Sequence, residues 1–141
     1  MTLHLIKLAV GIEDLDHLER RQKQTRNTEG NFRHRTRMMP RREGDVLDGG
    51  SMYWVVRGMI LLRQPILSLA QDVDDHGRTL CVIELQPCQI PVQPRAQRPF
   101  QGWRYLKPDA APPDVVAGGR IFVDPQMPQS MRIELARLGL L

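Results

Sequence analysis

The spacing of apolar and polar residues predicts a strand and then a helix at the start of the chain. Residues 3–10 form an apolar run that indicates an interior β-strand, and Gly11 ends it. Ile12, Leu15 and Leu18 then recur at helical spacing, with acidic residues before them and basic residues after them. The sequence therefore predicts an N-terminal helix directly after the first strand.

A second alternating segment covers residues 32–39 and carries a row of arginines. One predicted face carries Arg33, Arg35 and Arg37. The other face carries Phe32, His34, Thr36 and Met38. Pro40 ends this strand, and residues 41–47 then fit a short helix with Val46 and Leu47 facing inward.

Three further strands are predicted at residues 51–57, 59–69 and 78–85. Short connections join them, so they should form an antiparallel meander. Pro65 interrupts the second of these strands and indicates an edge, a bulge or a bend.

The character of the chain changes after Leu85, because seven of the eleven prolines lie between Pro87 and Pro113. We expect irregular, extended chain there, with residues 98–114 packed across the sheet as an ordered strap. A short strand is predicted at residues 121–123. The last segment predicts a closing helix, whose apolar stripe is Met131, Leu135 and Leu138.

These elements predict an α+β fold in one domain, residues 1–141. Its sheet should be curved, mixed and mainly antiparallel, or a partly open β-barrel, with an N-terminal helix and a C-terminal closing helix. The length and the hydrophobic fraction of 41% suit a domain that buries a real core.

Charge is distributed unevenly along the chain. The net charge is +4, but residues 20–42 hold nine basic residues and only Glu29 as an acid, which gives +8 for that segment. The predicted phosphate-binding or anion-binding residues are Arg33, Arg35, Arg37, Arg41 and Arg42. Alternate side chains of a β-strand lie roughly 6.5–7 Å apart, a spacing that could follow the phosphates of single-stranded nucleic acid. A solvated face that protects a sheet edge is the alternative.

Arg63 stands inside an apolar strand, where its charge needs a partner. We expect Asp45 or Asp48 as a structural partner, and a ligand as the alternative. Together with Arg63, four more side chains complete the candidate site or flank it: Tyr53, Trp54, Trp103 and Arg104. Tyr53 and Trp54 must face opposite sides of a strand. Trp103 should share a face with Tyr105 and pack into the domain, with Arg104 on the other side.

The sequence offers little for catalysis. The four histidines are scattered, and the segment DVDDHG is expected to be a solvated turn. Nucleotide-binding glycine motifs are absent, and Cys81 and Cys88 do not form a CxxC pair. We therefore predict no catalytic residue, no metal and no cofactor. The absence of a membrane-length apolar run and of a secretion signal predicts a cytoplasmic protein.

Several blocks of the sequence resemble a known bacterial family. The blocks HLIKLAVG, HRTRMMPRR, LDGGSMYWVVRG, RPFQGWRYLK and ELARLGLL occur in the order seen in domain of unknown function 1489. This resemblance implies a compact single-domain cytoplasmic protein without an assigned activity. The basic element, the glycine-bounded turn and the following meander also resemble PUA-like β-barrels of the ASCH and EVE types, which implies binding to RNA or to modified bases.

These observations favour a nucleic-acid-binding module, with RNA or single-stranded DNA preferred over duplex. Two alternatives use the same arginines. The protein could be a small enzyme or binding protein for a phosphorylated or acidic small molecule, or an assembly protein with an acidic partner. An exposed apolar patch around Met38, Met39 and Met52 would favour the last of these.

Overall fold

The computed structural model describes residues 1–115 and 129–137, which contain seven β-strands and three α-helices. The strands are β1 (His4–Leu8), β2 (Phe32–Thr36), β3 (Ser51–Val56), β4 (Met59–Val73), β5 (Thr79–Leu85), β6 (Ile90–Ala96) and β7 (Trp103–Leu106). The helices are α1 (Leu15–Lys23), α2 (Glu43–Val46) and α3 (Gln129–Arg137), with a 3₁₀ turn at Pro108–Ala110. The longest of these helices have nine residues, so no helix in the described part of the chain could cross a bilayer.

The strands form one mixed sheet in the order β2-β5-β4-β3-β1-β7, and β6 pairs with β4 outside this path. β1 and β3 run parallel, and the other strand pairs are antiparallel. The two ends of the path, β2 and β7, are not paired with each other, so the sheet is open. The predicted α+β class and the mainly antiparallel sheet are confirmed, as is the meander formed by β3, β4 and β5.

The long strand β4 changes its neighbours halfway along. Its first part pairs with β3 and β6, and its second part pairs with β5. The change falls directly after Pro65, where the pairing with β5 is irregular between Ile66 and Ser68. A proline cannot donate to the ladder, so an irregularity at this point is expected. Of the edge, bulge or bend predicted at Pro65, the structure has a register shift just after it, between Ile66 and Ser68.

Helix α1 begins at a side-chain cap and packs beside β2. The carboxylate of Asp14 accepts a 2.7 Å hydrogen bond from the backbone N–H of His17, which satisfies one of the free donors of the first turn. Leu15 and Leu18 face the core. The last turn carries Arg20, Arg21 and Lys23, which suit the negative end of the helix dipole. Basic side chains therefore surround the C-terminal half of α1, next to the arginines of β2.

Gly50 allows α2, β1 and β3 to meet closely. A Cβ at this position would lie 2.3 Å from the carbonyl oxygens of both Leu3 and Val46. The N–H of Gly50 donates to the Val46 carbonyl at 2.9 Å, which links α2 to the start of β3. Any larger residue at position 50 would therefore separate β3 from β1 and change the register that pairs Leu5 with Met52.

Apolar residues cover both faces of the sheet around β3, whose six residues are all buried. One face contributes Leu5, Met52 and Trp54 to a core that also contains residues of α1, β2, β5 and α3. The other face contributes Tyr53 and Val55 to a smaller cluster with Ile6, Ile60, Val92 and Phe100. Because Tyr53 and Trp54 are neighbours on a strand, they lie on opposite faces, as predicted.

The proline-rich segment is more regular than the sequence indicated. It contains β6 and β7, and β7 extends the sheet beside β1, where a strap packed across the sheet was expected. Among the described residues β4 is the only strand beside β6, and such an edge strand tolerates Pro91 and Pro94.

One local prediction needs correction, and two others lie outside the described residues. Leu47 is 39% exposed, because α2 is one turn long and buries only Val46. Met131 and Leu135 of α3 are buried as expected. The predicted strand at 121–123 and Leu138 lie outside the described residues.

Candidate anion-binding site

Strand β2 presents its arginines on the exposed face of one end of the sheet. Arg33 and Arg35 are exposed, whereas Phe32 is buried and His34 is partly buried on the opposite face. The alternation predicted for residues 32–39 is confirmed over residues 32–36, but the strand ends at Thr36 and not at Pro40. The exposed face therefore carries two guanidinium groups two residues apart, with Arg37 directly after the strand.

Carboxylates neutralise only some of the basic residues in this region. Arg37 donates to Asp74 at 2.7 Å, and Arg42 pairs with Asp45. Arg33 donates through Nε to the Thr25 carbonyl at 3.1 Å. Neither Arg35 nor Arg41 forms an ion pair within residues 1–115 and 129–137.

The one acidic residue opposite Arg33 in the strand register has other partners. Glu84 of β5 accepts hydrogen bonds from the side chains of Asn27 and Ser68. The β2 arginines therefore keep positive charge that no described carboxylate neutralises directly.

A cavity of about 340 Å³ lies between the end of β1, helix α1 and strand β2. Its volume falls at the lower end of the range of about 300–1,000 Å³ found for ligand pockets. Its basic lining residues are Lys7, Arg21, Arg33 and Arg35. Its apolar lining residues include Leu8, Ile12, Leu18, Phe32, Trp54 and Leu85. The described lining contains neither Asp nor Glu, so the cavity is electrostatically suited to an anion.

Lys7 reaches this cavity from the middle of the sheet. It lies opposite Trp54 on β3 and opposite Trp103 on β7, and therefore shares their side of the sheet. Burial lowers the pKa of its ammonium group. No described residue forms a hydrogen bond or an ion pair with the Lys7 side chain. A half-buried cation without a counter-ion is costly, and such groups often mark binding sites.

His34 lies on the cavity side of β2 and packs against Trp54. The two rings meet edge to face, with their centroids 5.0 Å apart. Burial, and to a lesser extent the charge of Lys7, lower the pKa of His34 to about 4, so its imidazole is neutral at pH 7. The Nε2 atom is buried and has no hydrogen-bond partner among the described residues.

Two buried amides fix α1 to the sheet below the cavity. The side chains of Gln22 and Gln64 exchange two hydrogen bonds, 2.7 and 2.8 Å long. The Gln64 oxygen also accepts a 2.8 Å hydrogen bond from the indole N–H of Trp54. These hydrogen bonds satisfy the polar groups of the cluster, which would otherwise cost free energy in the core. They also fix the position of α1 over β3 and β4.

Arg63 faces the other side of the sheet, because it lies opposite Tyr53 in the pairing of β3 with β4. Its guanidinium group donates two 2.8 Å hydrogen bonds to Asp114 and one of 2.9 Å to the Ser51 hydroxyl. The expected structural partners, Asp45 and Asp48, were wrong. Asp114 raises the pKa of Arg63, and Arg63 lowers the pKa of the Asp114 carboxyl group. The pair is structural and does not line the cavity.

Strand β7 connects its aromatic residues to the segment after β2. The Trp103 indole donates a 2.7 Å hydrogen bond to the Met38 carbonyl, and the Tyr105 hydroxyl accepts one from the Arg42 N–H at 3.1 Å. The two rings meet edge to face at 4.9 Å. Arg104 lies on the opposite face, over the Phe100 ring at 4.7 Å. The prediction that Trp103 and Tyr105 share a face opposite Arg104 is confirmed, whereas the expected packing of both rings into the domain is wrong for Tyr105, which is 38% exposed.

The structure thus brings together part of the predicted site and separates the rest. Arg33 and Arg35 border the cavity, but they project from the face of β2 opposite His34. Trp54 forms part of the buried cavity wall, and Arg63 and Arg104 lie on the face of the sheet that points away from the cavity. Lys7, Arg21 and His34 were missed as site residues. A single lysine within an apolar strand was the one available signal for Lys7, since a charge there needs an explanation.

The described residues offer little support for metal or thiol chemistry. Within residues 1–115 and 129–137 no group of three or more histidine, cysteine, aspartate or glutamate side chains could hold a metal ion. Burial raises the pKa of the Cys81 thiol to about 11, and its sulfur lies 3.5 Å from that of Met39. Cys81 is therefore protonated at neutral pH and is a poor nucleophile.

The fold and the cavity define a small α+β protein with an open sheet and a cationic, partly apolar cavity between β1, α1 and β2. The family model described as "Protein of unknown function (DUF1489)" matches residues 5–141, and the chain belongs to this family. The resemblance found in the sequence blocks is thereby confirmed. No curated protein and no solved structure shows significant similarity to the chain.

Proposed function

We propose that this protein binds single-stranded nucleic acid, either RNA or single-stranded DNA, through the exposed arginines of β2. One observation carries the proposal: Arg33 and Arg35 project from the same exposed face and have no described carboxylate partner. Unneutralised guanidinium groups in a row are suited to phosphate oxygens, which they can contact with two hydrogen bonds each.

The spacing of these arginines supports a single strand as the ligand. Alternate residues of a β-strand lie about 6.5–7 Å apart, comparable to the separation of successive phosphates in an extended strand. Arg20 and Arg21 at the end of α1 and the exposed Arg41 would extend the same positive surface. Binding of this kind is insensitive to base sequence and weakens steeply with salt.

The other predicted residues differ in what they can contribute. Arg37 and Arg42 would exchange exposed ion pairs for phosphate contacts, at little cost in free energy. Tyr53 and Trp54 are 4% and 3% exposed, so neither ring is open to stacking with a base. Tyr105 is 38% exposed and lies beside the segment that contains Arg42, which makes it the better candidate for stacking.

The surface offers less support for an acidic protein partner. Met38 is 65% exposed, but Met52 is completely buried and Met39 packs against Cys81. The three methionines therefore form no continuous apolar patch that would supply the centre of a protein interface. We propose four further properties together with the binding of nucleic acid by the arginine surface. These are a PUA-like arrangement of the sheet, helices that close it, a bacterial source and a cytoplasmic location.

The experiment that tests the proposal is fluorescence anisotropy with labelled single-stranded RNA, single-stranded DNA and duplex DNA at several salt concentrations. Replacing Arg33 and Arg35 together with alanine should lower the slope of log affinity against log salt by about 1.4, since each phosphate contact contributes about 0.7. Arg104→Ala removes one charge from β7, which lies at the other end of the strand order from β2, and is the control, which should bind as the wild type does.

Two results would overturn the proposal. The first is that the wild-type protein binds none of the three nucleic acids at low salt. The second is that Arg104→Ala weakens binding as much as the double variant, which would show that only net charge matters. Thermal unfolding of each variant verifies that any loss of binding occurs in a folded protein.

A further inference from the structure

The cavity beside β2 has two chemically different parts. Lys7, Arg21, Arg33 and Arg35 supply positive charge around it, and apolar side chains from β1, α1 and β2 supply the remaining wall. An inorganic anion would use only the charged part, and an apolar ligand would leave the cations unpaired. The lining therefore fits a ligand that carries an anionic group on a flat or apolar body.

The number of cations favours a doubly charged group. Four basic residues border a cavity whose described lining contains no carboxylate: Lys7 lies on the cavity side of the sheet, Arg21 lies on α1, and Arg33 and Arg35 stand on the outer face of the adjoining strand. A phosphate monoester carries about −1.5 to −2 charges at pH 7 and accepts several charge-assisted hydrogen bonds, whereas a phosphodiester carries only one charge. A phosphate at the end of a strand, or on a free nucleotide, is thus a better match than a phosphate within a chain.

The size of the cavity limits the ligand to one unit. A volume of about 340 Å³ is near the minimum for small-molecule sites and would not enclose several linked nucleotides. The exposed arginines belong to β2, and this strand also forms one wall of the cavity. A nucleic acid that follows these arginines would therefore bring its end to the cavity.

From these observations we infer that the cavity binds one terminal nucleotide, with its phosphate monoester on the basic residues and its base against the apolar wall. For a polymer ligand this inference rests on the proposed nucleic-acid function, whereas a free nucleoside monophosphate would carry the same chemistry without it. Lys7 is the innermost cation of the site, and Arg21 contacts the phosphate from α1.

This inference explains two features of the cavity. The Lys7 ammonium group lacks a described counter-ion, and the buried His34 Nε2 atom lacks a described hydrogen-bond partner. Unpaired polar groups cost free energy in a folded protein, and the cost is recovered when a ligand pairs with them. The Gln22–Gln64 hydrogen bonds hold α1 in place, so the cavity is largely formed before the ligand arrives.

The test has a free-nucleotide arm and a polymer arm. Calorimetry measures the affinity for nucleoside 5′-monophosphates, for the matching nucleosides and for inorganic phosphate. Anisotropy compares single-stranded RNA that carries a phosphate at the 5′ end, at the 3′ end or at neither end. Each titration is repeated with Lys7→Met and Arg21→Ala, and with Lys107→Met as an exposed control outside the cavity.

We expect a nucleoside monophosphate to bind at least about tenfold more tightly than its nucleoside, since one charge-assisted contact is worth that much. We expect a similar preference over inorganic phosphate, because only the nucleotide buries a base against the apolar wall. One of the phosphorylated RNA ends should bind tighter than the unphosphorylated RNA by a similar factor. Lys7→Met and Arg21→Ala should remove both preferences, and Lys107→Met should keep them. Arg21 is exposed, so its variant remains informative if Lys7→Met fails to fold.

The outcomes separate this inference from the proposed function. RNA binding that ignores terminal phosphates, together with no binding of monophosphates, overturns the inference and leaves the proposed function intact. Monophosphate binding without RNA binding supports the cavity site and overturns the proposed function. Inorganic phosphate that binds as tightly as the nucleotide would show that the apolar wall holds no base.

Discussion

The guanidinium group of Arg63 and the carboxylate of Asp114 form two parallel hydrogen bonds, each 2.8 Å long, across the face of the sheet opposite the cavity. Asp114 belongs to the segment after the 3₁₀ turn, which also forms an isolated bridge with Val92 of β6. The pair therefore fastens this segment to β4. It also explains how an arginine is accommodated within a mostly apolar strand.

We predict that Arg63→Met lowers the free energy of unfolding by about 1–2 kcal/mol without changing the affinity for nucleic acid. The estimate is modest because Arg63 and Asp114 are 23% and 43% exposed, and solvent screens pairs of this kind. Urea denaturation measures the stability, and anisotropy measures binding. A loss of binding at unchanged stability would contradict this assignment and return Arg63 to the binding site.

The buried cluster of Gln22, Gln64 and Trp54 gives a larger expected effect. Gln64→Leu preserves volume but leaves the Trp54 indole N–H and the Gln22 amide without partners, so we expect a loss of about 2–4 kcal/mol. The double variant with Gln22→Leu removes one of the stranded groups and should recover part of that loss. If the double variant is the less stable of the two, the amide pair does not act as a unit.

How far the sequence predicts this molecule depends on the distance between the interacting residues. The alternation of residues 32–36, the β3–β5 meander and the bulge after Pro65 follow from local pattern, and all three are present. Strands β6 and β7 were missed because prolines and isolated aromatics conceal edge strands whose pairing is set by distant residues.

The site itself was predicted less completely than the strands. The partner of Arg63 lies 51 residues away along the chain, and local sequence gave no reason to select Asp114 over nearer acids. The cavity joins Lys7, Arg21 and the β2 residues, which no motif groups together. Only the charge excess of residues 20–42 indicated the region beside the cavity, because clustered arginines need a reason whatever the fold.

His34 should make the stability of the protein dependent on pH. Its pKa is about 4 in the folded state and near 6.5 when unfolded, so the unfolded chain binds more protons between these values. Stability is therefore fully present above pH 6.5 and falls as the pH decreases towards 4, by up to about 3 kcal/mol from this residue. Burial and the charge of Lys7 both oppose protonation of His34.

The measurement compares unfolding free energies of wild type and His34→Gln from pH 7 to pH 4. The difference between the two proteins should change in favour of the variant as the pH falls. His76→Gln, at the exposed turn between β4 and β5, is the control and should follow the wild type. Parallel curves for wild type and His34→Gln would show that the histidine is not held in its neutral form.

Lys7→Met should make the protein more stable while it removes the anion site. Burial disfavours the Lys7 ammonium group, no described carboxylate compensates for it, and methionine would fill the same space between Trp54 and Trp103 without a charge. We expect a gain of about 0.5–2 kcal/mol, the size typical of substitutions that remove a functional strain. Lys107→Met is exposed and should change stability by no more than about 0.5 kcal/mol. Urea denaturation measures the stability of both variants. A lysine that is kept for binding costs stability, so its removal should raise the free energy of unfolding. A loss of stability in Lys7→Met would mean instead that the ammonium group supports the fold and that the cavity has no need of an anion.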